Sequence, residues 1–431
     1  LLTVVFGLAG DTKAVEEAQE SATYYVSPGD DLSAAIASLS AGETLVLRDG
    51  VYTTSMQVRG TGTESAPITI CAEHDGRAVV DGETECVPLR VTASARYVVV
   101  EGIRFQNSSA DTVIVNGRDI ILRRVSAYNS GSGNAHDFAI DGASDILLED
   151  CAASGRGRSN YLLFESSNVT LRRCWARWTE RPPDSPSVAA NTIIYASDNC
   201  LIENTVGTVV PDTGAEEVKS LHFWVASWND TDSCSHNTVF GSIYYGFDWH
   251  NAIFSHHQGT TQVNNAIENT VFMGSGFTNV FIRGGHDTRL QGLTIVDQGA
   301  QWAAVQVDTD YGVSPTASIE GCSFVGGNAG IRVGTGAGVT HSYSNFYDVD
   351  VPFVGTTQGE GESFLDPGYD AVRYGLGAYL IAPPNLSNIG AEILYQSQSG
   401  SPTLTPLWPW PMEARICAET SNILGEGISV T

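Results

Sequence analysis

The sequence predicts an all-β chain wound into one parallel β-solenoid, and three observations carry that prediction. A seven-residue phrase recurs along most of the chain, successive copies lie 22 to 33 residues apart, and no helical pattern of useful length falls inside the repeats. The phrase is a polar residue, three apolar or β-favouring residues, a polar pair, and a small or apolar residue. It reads Tyr97-Val98-Val99-Val100-Glu101-Gly102-Ile103, then Asp119-Ile120-Ile121-Leu122-Arg123-Arg124-Val125, Asp145-Ile146-Leu147-Leu148-Glu149-Asp150-Cys151 and Asn168-Val169-Thr170-Leu171-Arg172-Arg173-Cys174. Looser copies end at Thr205, Thr238, Thr270, Leu293 and Cys322. A helix-free repeat of that size is one supersecondary unit, so stacked copies bury a continuous apolar column that no single copy could bury alone.

Each element follows in order. Leu1 to Gly10 is apolar and Asp11 to Ser21 is polar, so residues 1–23 form an apolar segment and its tether. Asp31 opens a short helix with Leu32, Ile36 and Leu39 on one face. Gly42-Glu43-Thr44-Leu45-Val46-Leu47 and Gly50-Val51-Tyr52-Thr53 then begin the strands, and residues 24–345 make up the solenoid with its N-terminal cap. Beyond Tyr343 the phrase fades into Phe364-Leu365-Asp366-Pro367-Gly368-Tyr369 and Leu407-Trp408-Pro409-Trp410-Pro411-Met412, so residues 346–431 form an irregular cap or tail.

The helix, the G-E-T-L-V-L strand and the G-V-Y-T turn together resemble the entry to right-handed parallel β-helix proteins of the pectate-lyase-like superfamily. The resemblance runs from about Tyr24 to Gly390 and implies that the helix plugs the open end of the column. The tail resembles that of secreted β-helix repeat proteins, a branch that brings no function with it.

The chain has 49 acidic and 22 basic residues, a formal charge of -27, which excludes nucleic acid as a partner and disfavours anionic membrane surfaces. No apolar run is long enough to span a bilayer. Eight cysteines, an even number without zinc spacing, suggest disulfides in an extracellular or cell-surface setting. Cys151 and Cys174 stack in consecutive phrases, where either a bridge or a pair of buried thiols fits. Cys71 with Cys86 and Cys200 with Cys234 lie one hairpin or coil apart, which leaves Cys322 and Cys417 to pin the tail. Glycosylation triplets at Asn107, Asn168, Asn229 and Asn385 fit the same setting.

Enzymes of this fold that cleave uronic-acid polymers need a cation or arginine to neutralise the carboxylate, a base for the α-proton and an acid for the leaving oxygen. Glu216-Glu217-Val218-Lys219-Ser220-Leu221-His222 is the best local candidate, Lys219 being one of two lysines. His250, His256, His257 and Arg283 with His286 and Asp287 follow within a few coils. On this reading Lys219 is the base, Arg283 neutralises substrate, His222 and His250 assist, and Glu216 or Glu217 holds calcium. Trp224, Trp228 and Trp249 would stack sugar rings. Asp308-Thr309-Asp310 is a weaker calcium candidate. The Asp-Asp and Gly-His-Gly pattern of polygalacturonases and the Asp-Pro-His-Glu string of mannuronan epimerases are both missing. Polar residues in solenoid turns ordinarily just solvate the turn.

The sequence therefore favours a secreted structural protein that needs no cofactor and polymerises with copies of itself into a filament or surface layer. Leu1, Leu2, Val4, Val5, Phe6 and Leu8 would supply a donated strand. The alternative is an extracellular carbohydrate-active enzyme of polysaccharide lyase type, or a glycan-binding protein.

Overall fold

The computed structural model describes residues 22–180, 189–209, 220–226, 233–246, 250–255, 262–274, 276–296, 302–309, 312–371, 375–393, 395–396 and 402–403. Three long parallel sheets run the length of the molecule. The first has 13 strands, from Thr23–Val26 to Gly338–Ser342. The second and third have 12 each, from Gly50–Thr53 to Asn345–Tyr347 and from Met56–Val58 to Val351–Val354. In each sheet the neighbours are strands of successive coils, which is the order a parallel solenoid requires.

The recurring phrase is the strand of the first sheet. Its inward residues stack in register, Val100 on Leu122, Leu148, Leu171 and then Ile202, and all five are buried. Its polar ends are the corners. The first residue has positive φ in Tyr97, Asp119, Asp145 and Asn168, and so does the sixth, in Gly102, Arg124, Asp150 and Arg173. Left-handed backbone is tolerated best by Gly, Asn and Asp, which explains much of the phrase's polarity. One boundary differs from the sequence expectation. Thr205 N–H bonds to Ser242 Oγ and Ile243 N–H to Thr205 O, so the equivalent of Thr205 is Ser242 and not Thr238. The corners of that coil are His236 and Gly241, at φ 60 and 59.

Outside the same sheet, Glu101, Arg123, Glu149, Arg172 and Glu203 occupy one row in register. Arg123 Nε lies 2.9 Å from Glu149 and Arg172 Nε 3.1 Å from Glu203, so opposite charges alternate up the row. Like charges stacked there would repel.

The core is filled reciprocally by the second and third sheets. Ala127, Ala153 and Ala176 stack on the second sheet where the third sheet supplies Phe138 and Tyr161, whose rings stack 5.0 Å apart. Farther on the second sheet supplies Tyr244 and Phe272, 5.5 Å apart, and the third sheet has Ala252 and Val280. Alternating large and small side chains in this way keeps a column of constant bore densely packed.

At the corner leading into the third sheet a polar ladder is buried. Asn160 Nδ2 donates to Asp137 at 2.8 Å, and Asn191 Nδ2 donates to Asn160 Oδ1 at 2.8 Å. Asn251 and Asn279 continue it. Asp137 is fully buried, and burial pushes its carboxyl pKa well above the usual range.

The helix Leu32–Ala37 is capped by Asp31, which accepts the Ala34 N–H at 2.9 Å, and Leu32, Ile36 and Leu39 join the core. After the last strands, Tyr369, Tyr379, Ala391 and Ile393 pack in one cluster with Val271 and Val296 on the outer side of the second sheet. Asn269 and Glu392 tie that segment to the sheet by bonds of 2.6 and 2.7 Å. Residues 1–21, including Leu1, Leu2, Val4, Val5, Phe6 and Leu8, and residues 404–431 lie outside the described residues. Among the described residues no helix is long and apolar enough to cross a membrane.

The seven described cysteines are free thiols, so Cys71–Cys86, Cys151–Cys174 and Cys200–Cys234 are not bridged, and Cys417 lies outside the described residues. Cys151 and Cys174 do stack, but each thiol donates to main-chain carbonyls, Cys151 to Leu122 and Cys174 to Leu148, both at 3.4 Å. They are part of the hydrocarbon lining.

Two expected outcomes follow. With native protein at neutral pH, thiol alkylation read by peptide mass spectrometry should spare Cys151, Cys174, Cys200, Cys234 and Cys322, all buried, and modify the half-buried Cys71 and Cys86 first. Asp137→Asn should stabilise the protein increasingly as pH rises. The wild-type carboxyl stays protonated in the fold while the unfolded chain ionises, so wild-type stability falls above the ordinary carboxyl pKa of 3.8. The difference between the two unfolding curves should grow by about 1.4 kcal/mol per pH unit up to the folded-state pKa. A constant difference would mean that Asp137 is ionised in the fold.

Candidate functional site

Along the third sheet, three rows of residues run parallel to the solenoid axis. The middle row passes through Ile193, Trp224, Ile253, Phe281, Gln306 and Arg332 in register. A second row lies just past the strand ends. There Arg283 N–H bonds to Phe254 O at 2.8 Å, Asp308 N–H to Ile282 O at 3.0 Å and Gly334 N–H to Val307 O at 2.8 Å, each reaching back one coil. His250 begins its strand on the third row, opposite Thr278.

Toward the C-terminal end these rows open into a cleft of about 490 Å³, lined by His250, Phe281, Arg283, Trp302, Gln306, Asp308, Thr309 and Arg332. One wall is aromatic. Trp302 meets Phe277 and Phe281 edge-on, with ring centres 5.5 and 6.4 Å apart, and it keeps 41% of its surface exposed. The Arg283 guanidinium lies over the Phe281 ring, 5.3 Å from its centre, an arrangement that holds a cation against an apolar wall.

His250 is buried beneath this wall, 5.3 Å from Phe281. Its Nδ1 stands 3.3 Å from the Thr278 carbonyl oxygen, which can only accept, so Nδ1 carries the proton and the lone pair is on Nε2. Burial, with a smaller contribution from the Arg283 charge, lowers its pKa to about 4 against the raising effect of the Thr278 hydrogen bond. The imidazole is therefore neutral at neutral pH and can accept a proton.

One coil after Arg283 in the same row, Asp308 accepts the Thr309 N–H at 2.8 Å through Oδ1 and faces Gln306 Nε2 at 3.4 Å through Oδ2. A Cβ on Gly334 would overlap Asp308 Oδ1, so only glycine leaves room for the carboxylate. Asp308 is thus oriented by donors from its own chain, and its neighbour in the weaker calcium candidate, Asp310, lies outside the described residues.

Of the residues singled out from sequence, the structure brings His250 and Arg283 into this one cleft. Backbone register puts His222 between Asn191 and Asn251, on the row of the buried asparagine ladder, and puts Trp224 on the middle outer row. Lys219, Glu216, Glu217, Trp228, Trp249, His256 and His257 lie outside the described residues. His286 and Asp287 are exposed at a corner of the first sheet. The acceptor amides of three glycosylation triplets are engaged. Asn107 bonds to Asp81 at 2.9 Å, Asn168 to Asp145 at 3.0 Å and Asn385 to Asp366 O at 3.1 Å, while Asn229 lies outside the described residues.

Sequence reasoning missed Trp302, Phe281, Gln306 and Arg332. A usable signal existed in Gln306, a polar side chain set between inward Val305 and Val307, with Arg332 in the corresponding place one coil later.

Two other clusters lack the features of a site. His136 Nδ1 bonds to Ser159 Oγ at 2.6 Å, yet Asp111 accepts the backbone N–H of His136 rather than its ring, so no relay forms. Asp49, Glu73 and His74 converge at the surface, but His74 and Arg77 already pair with Asp49 at 2.9 and 3.6 Å.

Rows, corners and column define a parallel β-solenoid. The sequence model of the chondroitinase B family matches residues 26–137. Among solved structures, the A-module of the Azotobacter vinelandii mannuronan C-5 epimerase AlgE4 superposes with a TM-score of 0.53 at 14% identity, over 78% of this chain and 94% of that one. The PL6 family alginate lyase AlyGC gives 0.50 at 12% identity, covering 79% of this chain and 53% of that one. This chain thus spans about half the length of that lyase. No curated protein sequence matches the chain. At such identities the likeness is one of fold, and the matched residues 26–137 end before the cleft begins at His250.

The buried imidazole gives the cleft a pH signature. A histidine whose pKa falls from 6.5 to about 4 on folding contributes stability that is complete above 6.5 and is lost as pH drops toward 4. His250→Asn should remove that component. Urea unfolding midpoints of the two proteins should converge as pH falls through this window, and parallel curves would show His250 to be solvated.

Proposed function

We propose that the protein is a polysaccharide lyase-like enzyme that cleaves an extracellular uronate polymer in the third-sheet cleft. The observation that supports this most is the meeting of Arg283, a neutral His250 and an aromatic wall in one cleft of a protein whose formal charge is -27. The family match and the shared fold favour it over a filament-forming structural protein.

In β-elimination a cation offsets the uronate carboxylate, a base removes the proton on the carbon beside it, a carbon–carbon double bond forms, and the glycosidic oxygen leaves with a proton from an acid. Arg283 supplies the offsetting charge, braced over Phe281. His250 accepts the proton through Nε2, or Lys219 does so if residues 210–219 reach the cleft. Trp302 stacks on a sugar ring. Glu216 and Glu217 would be the carboxylates to hold a calcium ion, should the reaction use one. In the same reading the helix at residues 32–37 closes the N-terminal end of the column, residues 24–345 form the catalytic solenoid, and residues 346–431 form its C-terminal cap.

The test is incubation with alginate, chondroitin, dermatan and pectate while ultraviolet absorbance of the unsaturated product is recorded, with and without calcium. Activity is expected on at least one polymer, falling about 10²-fold or more in Arg283→Ala and in His250→Ala. Folded protein that produces no absorbance from any of the four overturns the lyase reading.

A further inference from the structure

We infer that Gln306 and Arg332 form a recognition couple that reads one acidic sugar of the bound polymer, the arginine taking its carboxylate and the glutamine a hydroxyl. The inference rests on the uronate reading above and names the residues that select the sugar.

The two are register partners on adjacent strands, so their side chains leave the third sheet side by side, with backbones about 4.8 Å apart. Both line the cleft. Gln306 is only 6% exposed, yet its Oε1 is buried without a hydrogen-bond partner, and Arg332 Nε is likewise buried and unpartnered. An orphaned acceptor beside an orphaned donor is costly in a folded protein unless something completes both.

The amide orientation is fixed by its neighbour. Asp308 Oδ2 can only accept, so Nε2 of Gln306 faces it and Oε1 is the end that waits for a donor. Gly334, lacking a Cβ, lets Asp308 stand there. Arg332 forms no ion pair among the described residues, although acids outnumber bases 49 to 22 in the chain. A ligand that satisfies the couple must present an anion to one member and a hydroxyl to the other. A uronate residue carries both groups, and the exposed Trp302 offers a face for its ring.

Arg283, braced beside His250, belongs to the reacting centre, so the couple should act on binding and leave turnover almost untouched. The experiment is calorimetric binding of alginate-derived oligouronates and of the same oligosaccharides with carboxyls reduced to alcohols, alongside KM and kcat. Arg332→Gln is expected to weaken oligouronate binding about tenfold or more without affecting the reduced ligand. Gln306→Leu should weaken both. Gln306→Glu, which keeps the shape of the buried side chain, should discriminate against the oligouronate alone, and Gly334→Ala should follow Gln306→Leu by displacing Asp308. KM should rise in each with kcat nearly constant. Wild-type affinity retained by folded Arg332→Gln and Gln306→Glu overturns the inference, as does a wild type that binds no oligouronate. Binding without any cleavage would overturn the lyase reading and leave the couple standing.

Discussion

Every coil of this chain must hydrogen-bond to the coil on either side along three sheets at once. That requirement fixes how many residues each strand contributes and leaves the turns free. Val98 pairs with Ile120 and Ile202 with Val239, intervals of 22 and 37 residues, and the register survives both. Paired corners in the left-handed region make this possible by ending each first-sheet strand at a fixed place, whatever length of turn follows. In sequence the extra residues precede or follow the third-sheet strands, and that sheet carries the cleft.

The fold was legible because the same constraint repeats in the sequence. Inward Val, Ile and Leu had to recur at constant spacing within a phrase, and the corners had to be residues that tolerate positive φ. Where the pattern weakened, in His236-Asn237-Thr238-Val239-Phe240-Gly241-Ser242, an inward asparagine hid the boundary and moved it by four residues. The cysteines were ambiguous for a related reason. A stacked inward thiol and half of a disulfide look alike in a repeat, and only the carbonyls accepting from Cys151 and Cys174 separate them.

The site was less legible. His250 and Arg283 stood out as chemistry-bearing residue types in nearby coils, and the register does bring them together. Gln306 and Arg332 did not stand out, because one polar residue in a strand reads as an ordinary solvated face. Their meaning appears only when strands are laid side by side. His222 shows the converse, for a reactive residue type can fall on the row of an asparagine ladder that holds a corner together.

The two sets of arginines in this acidic protein show what the cleft is built against. On the first sheet, Arg123, Arg172 and Arg173 are each matched by carboxylates of the neighbouring coil, so their charge is spent inside the structure. On the third sheet the register partner of Arg332 is an amide, and Arg332 forms no ion pair among the described residues. A polyanion approaching from a distance meets the net negative field of the whole molecule, and within a cleft this small it meets two guanidinium groups against the single carboxylate of Asp308. Ions screen the first effect over about 10 Å at 0.1 M salt but reach the partly buried second one poorly. On the proposed lyase reading, moderate salt removes the repulsion before it weakens the recognition, a balance suited to reading acidic sugars one residue at a time rather than to coating a charged surface.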